Sequence, residues 1–380
     1  MTRTTDVLIV GAGPYGMSCA WWVALHNPGI EVTVVDEGDF ACGGAGRNVA
    51  GMRMQWGLEL NIRLCQESIA FFEDAERRLD YPNGIDLKQQ GYLLLAHNPG
   101  AYAQLESNQI VQRKLGVPSE MLTADECAQL VPALSGRDLA GGAFCDKDGS
   151  ASPFLWMDAL FQAARRQHVG IELGCRVERL IQQGERFLAV TRNNEDISAA
   201  KVLICTDWAA PQLLQGLGVD LPISGMPKQG LVTEAWTETL APLVISFQHE
   251  LAINQVKRGN IVAVVAQDRP DGDTMKSTPD YLSHAAGRIL ECLPGLAGLR
   301  VLRTWGGVIS KTPDMQAILG ETEVSNLYVA VSAYKGFMTS PAVGRIMSEV
   351  MFDTKIQPEF ALFGAERFKT GNLIPEPTTV

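Results

Sequence analysis

The chain has 380 residues, 46% of them hydrophobic and 20% charged, with a formal net charge of −11 and a pI near 5.0. A length beyond the roughly 250 to 300 residues that one core can serve points to two domains, and the ordinary composition excludes a disordered or fibrous chain. An acidic balance without clustered Lys and Arg excludes a nucleic-acid surface and leaves small molecules and proteins as partners. The first strand begins close to Met1, and no apolar run approaches the roughly eighteen residues of a membrane span, so the expectation is a cytoplasmic protein with neither leader nor span.

In chain order, the strand Val7-Leu8-Ile9-Val10 runs straight into Gly11-Ala12-Gly13-Pro14-Tyr15-Gly16 and then a helical stretch from Met17 to Leu25. In a triplet so placed the first glycine permits a tight turn, the second lets a pyrophosphate approach the backbone, and the third lets helix and strand pack closely. The helix start then offers free N–H groups and a positive dipole end to phosphate. A second apolar strand, Val32 to Val35, ends at Asp36, 20 residues past Gly16, where a carboxylate accepts ribose hydroxyls; Glu37 follows it. This unit implies a nucleotide cofactor without choosing flavin over nicotinamide.

Residues 60–79 put Ile62, Cys65, Ile69, Phe72 and Leu79 near one helical face. A strand over 91–96, a helix over about 101–115 and a short helix opened by the capping-box pattern Thr123-Ala124-Asp125-Glu126 follow. After a helix over 156–167, the segments 176–181, 186–191 and 201–205 read as a strand meander returning to the parallel sheet, which makes the nucleotide domain discontinuous. Pro222, Pro227 and Gly230 mark a crossover into strands at 230–235, 243–247, 251–257 and 261–267, a second and largely antiparallel sheet. A helix over 279–293, strands at 303–307 and 327–331 and a helix after Pro341 complete the chain. The eight cysteines contain no Cys-x-x-Cys pair and the five histidines suggest no cluster, so no metal centre is expected; hydrolase motifs are also absent.

The run Gly43-Gly44-Ala45-Gly46-Arg47-Asn48-Val49-Ala50-Gly51-Met52-Arg53 resembles the flavin-contacting loop of the D-amino-acid oxidase superfamily, in particular its glycine oxidase and sarcosine oxidase branch. The stretch Arg303-Thr304-Trp305-Gly306-Gly307, then Thr312-Pro313-Asp314, Gly320 and Lys335-Gly336-Phe337-Met338 with Pro341 and Gly344, resembles the same family's closing motif. Matches in this order are similar to the β-type catalytic subunits of heteromeric sarcosine oxidase, proline and hydroxyproline dehydrogenase and opine oxidase. The resemblance implies an α/β fold: a discontinuous Rossmann-like FAD-binding domain (1–85, 141–222, 301–380) and a second, mainly antiparallel β-sheet substrate domain (86–140, 223–300). It implies FAD held by Gly11, Ala12, Gly13, Pro14, Tyr15, Gly16, Asp36, Glu37, Gly44, Ala45, Gly46, Arg47, Asn48, Met52, Val177, Thr206, Trp208, Gly306, Lys335, Gly336, Phe337 and Met338. Partner subunits with further redox cofactors, among them an FMN at the interface, are implied too. Two departures stand out: Cys205-Thr206-Asp207-Trp208 replaces the usual Ala-Gly-Ala-Trp, and Ser332 and Tyr334 occupy positions where glycines are usual.

The implied reaction oxidises the C–N bond of an N-substituted amino acid such as sarcosine, proline, hydroxyproline or an opine (octopine, nopaline), with hydride passing to flavin N5. It needs a carboxylate clamp more than an acid-base pair. Arg53, Lys335 and Arg303 are the cations for that clamp, a guanidinium suiting a carboxylate best. Tyr92 and Tyr334 are pocket candidates, and His249 beside Glu250 is a proton acceptor candidate. The alternatives are a glycine-oxidising subunit of the cyanide-synthase type, a non-catalytic FAD-binding scaffold, and a nicotinamide-dependent dehydrogenase.

Overall fold

Val7, Leu8 and Ile9 are fully buried, as a strand covered on both faces must be. In the computed structural model, which describes residues 2–192, 195–272, 274–352 and 359–377, the strand Thr2–Val10 is central in a parallel sheet. Val32–Asp36 pairs with it on one side and Asp196–Ile204 on the other. Gly170–Leu173 and Leu327–Val331 extend the sheet in parallel, and Ile318–Glu321 closes one edge antiparallel. The expected meander is present: Arg176–Gln183 and Arg186–Arg192 form a hairpin that feeds Asp196–Ile204.

One face of this sheet is covered by the helices Pro14–His26, Glu59–Glu73, Pro153–Arg166 and Gly336–Phe352, whose side chains share one apolar core. The first and last of these helices cross closely: a Cβ on Gly344 would lie 2.3 Å from Ser18 Oγ and 2.8 Å from the Ser18 carbonyl carbon. The single helix expected over 60–79 is broken. It ends at Glu73, and the Asp74 carboxylate accepts from Arg77 and Arg78 at the start of a separate turn, Ala75–Arg78, although all five residues of the expected face are buried. The closing helix begins at Gly336, more than a turn earlier than expected, with Pro341 inside it. Proline leaves the carbonyl four residues back without its N–H partner. The Ser340 hydroxyl donates to that carbonyl, Phe337 O, at 2.9 Å, so the helix runs on.

The second sheet runs in the order Val301–Lys311, Ser224–Ala235, Asn260–Val265, Leu251–Gln255, Leu243–Ser246, Tyr92–Ala96, Gly141–Cys145, Glu120–Leu122. Every pairing is antiparallel except Leu243–Ser246 with Tyr92–Ala96. Two expected segment boundaries shift as a result. Residues 141–145 and 301–311 make their ladder bonds with Tyr92–Ala96 and Ser224–Ala235, so both belong to the second sheet, not to the nucleotide sheet. Helix Tyr281–Cys292 covers one face of this sheet through Tyr281, Ala285 and Ile289, and the Tyr281 hydroxyl donates to Gln229 O at 2.7 Å. Among the described residues no helix is long and apolar enough to cross a membrane.

Candidate active site

The glycine turn is packed against the returning strand. Gly11 sits at φ +109°, donates its N–H to Val35 O at 2.8 Å, and leaves no room for a side chain, since a Cβ would lie 2.5 Å from Cys205 O. At Gly16 a Cβ would meet Gly11 O at 1.8 Å. Gly13 is the opposite case: a Cβ there meets nothing within 4 Å, and the helix it opens has no side-chain cap and no acidic residue in its first turn. Uncapped N–H groups therefore face open space, the arrangement that holds a phosphate. The Thr206 hydroxyl at the same turn is buried with no protein partner. An open cradle with an orphaned hydroxyl fits a dinucleotide pyrophosphate.

The other expected cofactor positions lie on several elements, and Gly46, Arg47 and Asn48 line a separate open cavity. Asp36 accepts from the N–H groups of Ala12 at 2.7 Å and Gly38 at 2.8 Å, so it braces the turn from the end of its strand; burial pushes its carboxyl up. Glu37 is exposed and pairs with Arg176 at 3.3 Å. Val177 packs in the core that holds Val10 and Val35. The Tyr15 hydroxyl points inward to Thr339 Oγ1 at 2.7 Å and ties the opening helix to the closing one. Gly44–Gly46 forms a short turn with Ala45 buried and its carbonyl held by Asn48 Nδ2 at 2.7 Å. Arg47 donates to the carbonyls of Cys42 and Gly306, so it bolts this loop to the second sheet. Met52 is fully buried, and Phe337 stacks inward on Phe72 at 5.6 Å, which leaves the backbone of Gly336 and Phe337 and half-buried Met338 at the helix start.

A second group of residues lies where the two sheets meet. Arg53 is 3% exposed, its guanidinium lies 3.9 Å from the Trp56 ring centroid, and its Nη1 is buried with no protein partner. The Tyr334 hydroxyl is likewise buried and unpartnered, with the Tyr334 ring 6.3 Å from that of Trp56. Arg53 is close enough to pull down the hydroxyls of both Tyr334 and Tyr92 against the rise that burial imposes. Lys335 is fully enclosed, donates to Met315 O at 2.8 Å and Gln316 Oε1 at 3.1 Å, and burial lowers its ammonium to about 7.

The backbone here is held by carboxylates that sequence reasoning did not single out. Asp148, fully buried, accepts from Met54 N at 2.7 Å and Gln55 Nε2 at 3.0 Å and so orients the segment that follows Arg53; burial pushes its carboxyl up to about 7. Glu376 reaches in from the C-terminal segment to accept from Gly57 N at 2.6 Å and Asn61 Nδ2 at 2.7 Å. Asp207 accepts from Ser332 N at 2.8 Å and Ser332 Oγ at 3.0 Å and from Ser310 Oγ at 3.2 Å, while Ala333 N donates to Ser310 Oγ at 3.0 Å. Ala333 and Tyr334 are both left-handed, at φ +43° and +65°, which is why glycine is usual in this turn. The two departures from the family pattern are therefore one feature: Asp207, beside half-buried Trp208, clamps Ser332 and holds Tyr334 in a strained turn. Their joint occurrence in the sequence was the available signal.

Two expected site residues lie elsewhere. Arg303 is exposed and lines an open cavity of ≈ 760 Å³ with Arg47, Lys257, Arg258, Phe154 and Trp305, away from Arg53 and Lys335. His249 sits in the turn after Leu243–Ser246, against His97 with ring centroids 4.9 Å apart. Neither reaches the buried group, because the ladder register points them to other parts of the second sheet. The histidines expected to stay apart thus do meet.

The sequence profile of the FAD dependent oxidoreductase (DAO) family matches residues 6–350. The chain belongs to that family and is an FAD-dependent oxidoreductase. The β subunit of sarcosine oxidase from Arthrobacter sp is 27% identical, covering 98% of this chain and 93% of its own. Hydrogen cyanide synthase subunit HcnC of Pseudomonas aeruginosa is 26% identical over 100% of this chain and 99% of its own. The crystal structure of L-proline dehydrogenase from P.horikoshii superposes with a TM-score of 0.92 at 25% identity, covering 98% of this chain and 100% of that one. The FAD-binding α/β fold with its second sheet is the family's.

Proposed function

We propose that this chain is the catalytic subunit of an amine dehydrogenase that oxidises the C–N bond of an N-substituted amino acid: sarcosine, proline, hydroxyproline or an opine. The observation that carries the reading is the buried, unpartnered Nη1 of the Arg53 guanidinium together with the buried, unpartnered hydroxyl of Tyr334. An uncompensated buried cation is costly, and a substrate carboxylate that accepts two N–H bonds from it removes that cost. Tyr334 donates a third bond to the same carboxylate, while Trp56 holds the guanidinium plane from below. Lys335 is a positioning residue in this scheme, since two of its three N–H groups go to Met315 O and Gln316 Oε1. Bound FAD supplies the two-electron acceptor; Gly11, Gly13, Gly16, Thr206 and the start of helix Gly336–Phe352 would hold it. The chain's own groups fix the carboxylate and exclude water, which leaves the substrate's α C–H bond as the variable end.

The large open cavity supports a second part of the proposal, that electrons leave through a partner subunit. Lys257, Arg258 and Arg303 line it with Trp305 and with Asp86, which pairs with Lys257 at 3.5 Å, a net positive lining suited to a phosphate-bearing planar group such as FMN. Phe154, which lines it and is 53% exposed, gives its rim an apolar surface that a partner chain would cover.

The test is an anaerobic absorbance titration of the flavoprotein, alone and co-expressed with its neighbouring reading frames, against sarcosine, L- and D-proline, hydroxyproline, octopine, nopaline and glycine. Bleaching by an N-substituted amino acid is the expected result. Bleaching by glycine alone gives the cyanide-synthase-type reading, to which the full-length likeness to HcnC lends weight. Flavin that none of them bleaches gives the scaffold reading.

A further inference from the structure

His97 follows the strand Tyr92–Ala96, His249 lies between Leu243–Ser246 and Leu251–Gln255, and Cys292 ends the helix Tyr281–Cys292, so three separate elements of the second sheet converge here. One donor atom from each lies within 4.8 Å of the others. His97 Nδ1 is 3.2 Å from the carbonyl oxygen of Asp138, an atom that only accepts; Nδ1 therefore carries the proton and Nε2 turns its lone pair inward. A ring N–H donated to a backbone carbonyl is the usual support of a metal-bound imidazole. His249 Nδ1 is buried without a hydrogen-bond partner, 3.5 Å from Glu291 Oε2. Cys292 is buried, and Ser246 Oγ bridges the group, 2.8 Å from His97 Nε2 and 3.2 Å from His249 N.

We propose that His97, His249 and Cys292 bind one borderline-soft divalent cation of the zinc class. Two imidazoles and a thiolate supply three corners of a tetrahedral set, and the fourth is left to solvent, as the half-buried position of both histidines allows. On binding, Cys292 releases its thiol proton to solvent and Ser246 Oγ leaves His97 Nε2. Inward rotation of the side chains by about an ångström brings the donors to bonding distance. The ion fastens the end of the covering helix to two strand ends of the second sheet, apart from the buried Arg53 group.

The experiment uses the flavin-loaded full chain, stripped with a chelator and titrated with Co²⁺. The expected result is one equivalent bound, with the visible bands of tetrahedral, thiolate-ligated cobalt to the red of the flavin bands, and displacement by Zn²⁺. Cys292→Ser removes the thiolate band, and His249→Gln, at a half-buried position, weakens binding about tenfold or more at unchanged flavin content. Zn²⁺ raises the melting temperature of the native chain and not that of His249→Gln. A six-coordinate cobalt spectrum, a spectrum unchanged in Cys292→Ser, or no Zn²⁺-dependent rise in melting temperature overturns the proposal.

Discussion

The phosphate cradle comes from one continuous stretch, Gly11 to Asp36, with a single touch from Cys205 and Thr206, whereas Arg53, Tyr92, Asp148, Tyr334 and Glu376 reach the buried group from five separate parts of the chain. The cradle works through what is missing: Gly11 and Gly16 have no Cβ where backbone would collide with it, and the helix start has no cap. The buried group works through what is present, a guanidinium and a hydroxyl without protein partners, held by carboxylates behind them. The first design tolerates no added atom, and the second tolerates no lost one.

The contrast can be broken most severely at Gly16. Gly16→Val should abolish folding of the nucleotide sheet or flavin retention, because the new side chain meets Gly11 O, while Gly13→Ala should keep the melting temperature of the flavin-free protein and lose only flavin affinity. Equal behaviour of the two variants in flavin content and thermal unfolding would sink the distinction between packed and open glycines. Next in size, Arg53→Met should lower kcat/KM by about a hundredfold to a thousandfold, or about 3 to 4 kcal/mol, with full flavin content; Arg53→Lys should recover little, since an ammonium lacks the fork. Steady-state kinetics on the substrate found by titration reads this directly.

Asp207→Ala should cost about 2 kcal/mol of stability, because the Ser332 N–H and hydroxyl lose their acceptor in a strained turn. Adding Tyr334→Gly should restore part of that loss in thermal denaturation, as glycine adopts φ +65° without strain. Another effect concerns pH. The Asp148 carboxyl titrates near 3.9 in the unfolded chain and at about 7 in the fold. Between those values the folded state keeps a proton that the unfolded state has released, so this group makes stability fall as pH rises from about 4 to about 7. Asp148→Asn should flatten that part of the profile, and an unchanged slope in denaturant titrations would refute the assignment. Smallest of all, Tyr334→Phe should lower kcat/KM about tenfold, the worth of one hydrogen bond to a carboxylate.

The sequence singled out Arg53 because it follows the flavin loop at the family position, and Tyr334 because it replaces a usual glycine. Asp148 was not singled out, since an aspartate after a short strand is an ordinary turn residue until the fold brings Met54 and Gln55 to it. Glu376 was hidden for the same reason, at a long chain separation from the residues it caps. Arg303 and His249 failed in the other direction: cations and imidazoles near family motifs are plausible on chemistry alone, and only the ladder register shows where they point.

By itself the sequence determined the parallel nucleotide sheet, the glycine turn, the meander and the largely antiparallel second sheet, because each depends on period, apolar runs and turn residues within a few positions of one another. The family motifs added flavin. Tertiary structure alone decided that residues 141–145 and 301–311 join the second sheet, that Asp207 clamps Ser332, that Arg53 keeps its guanidinium unpaired, and that His97 and His249 meet Cys292. Those facts join residues dozens to hundreds of positions apart, and contacts of that kind are set by strand register and helix packing, which no local pattern encodes.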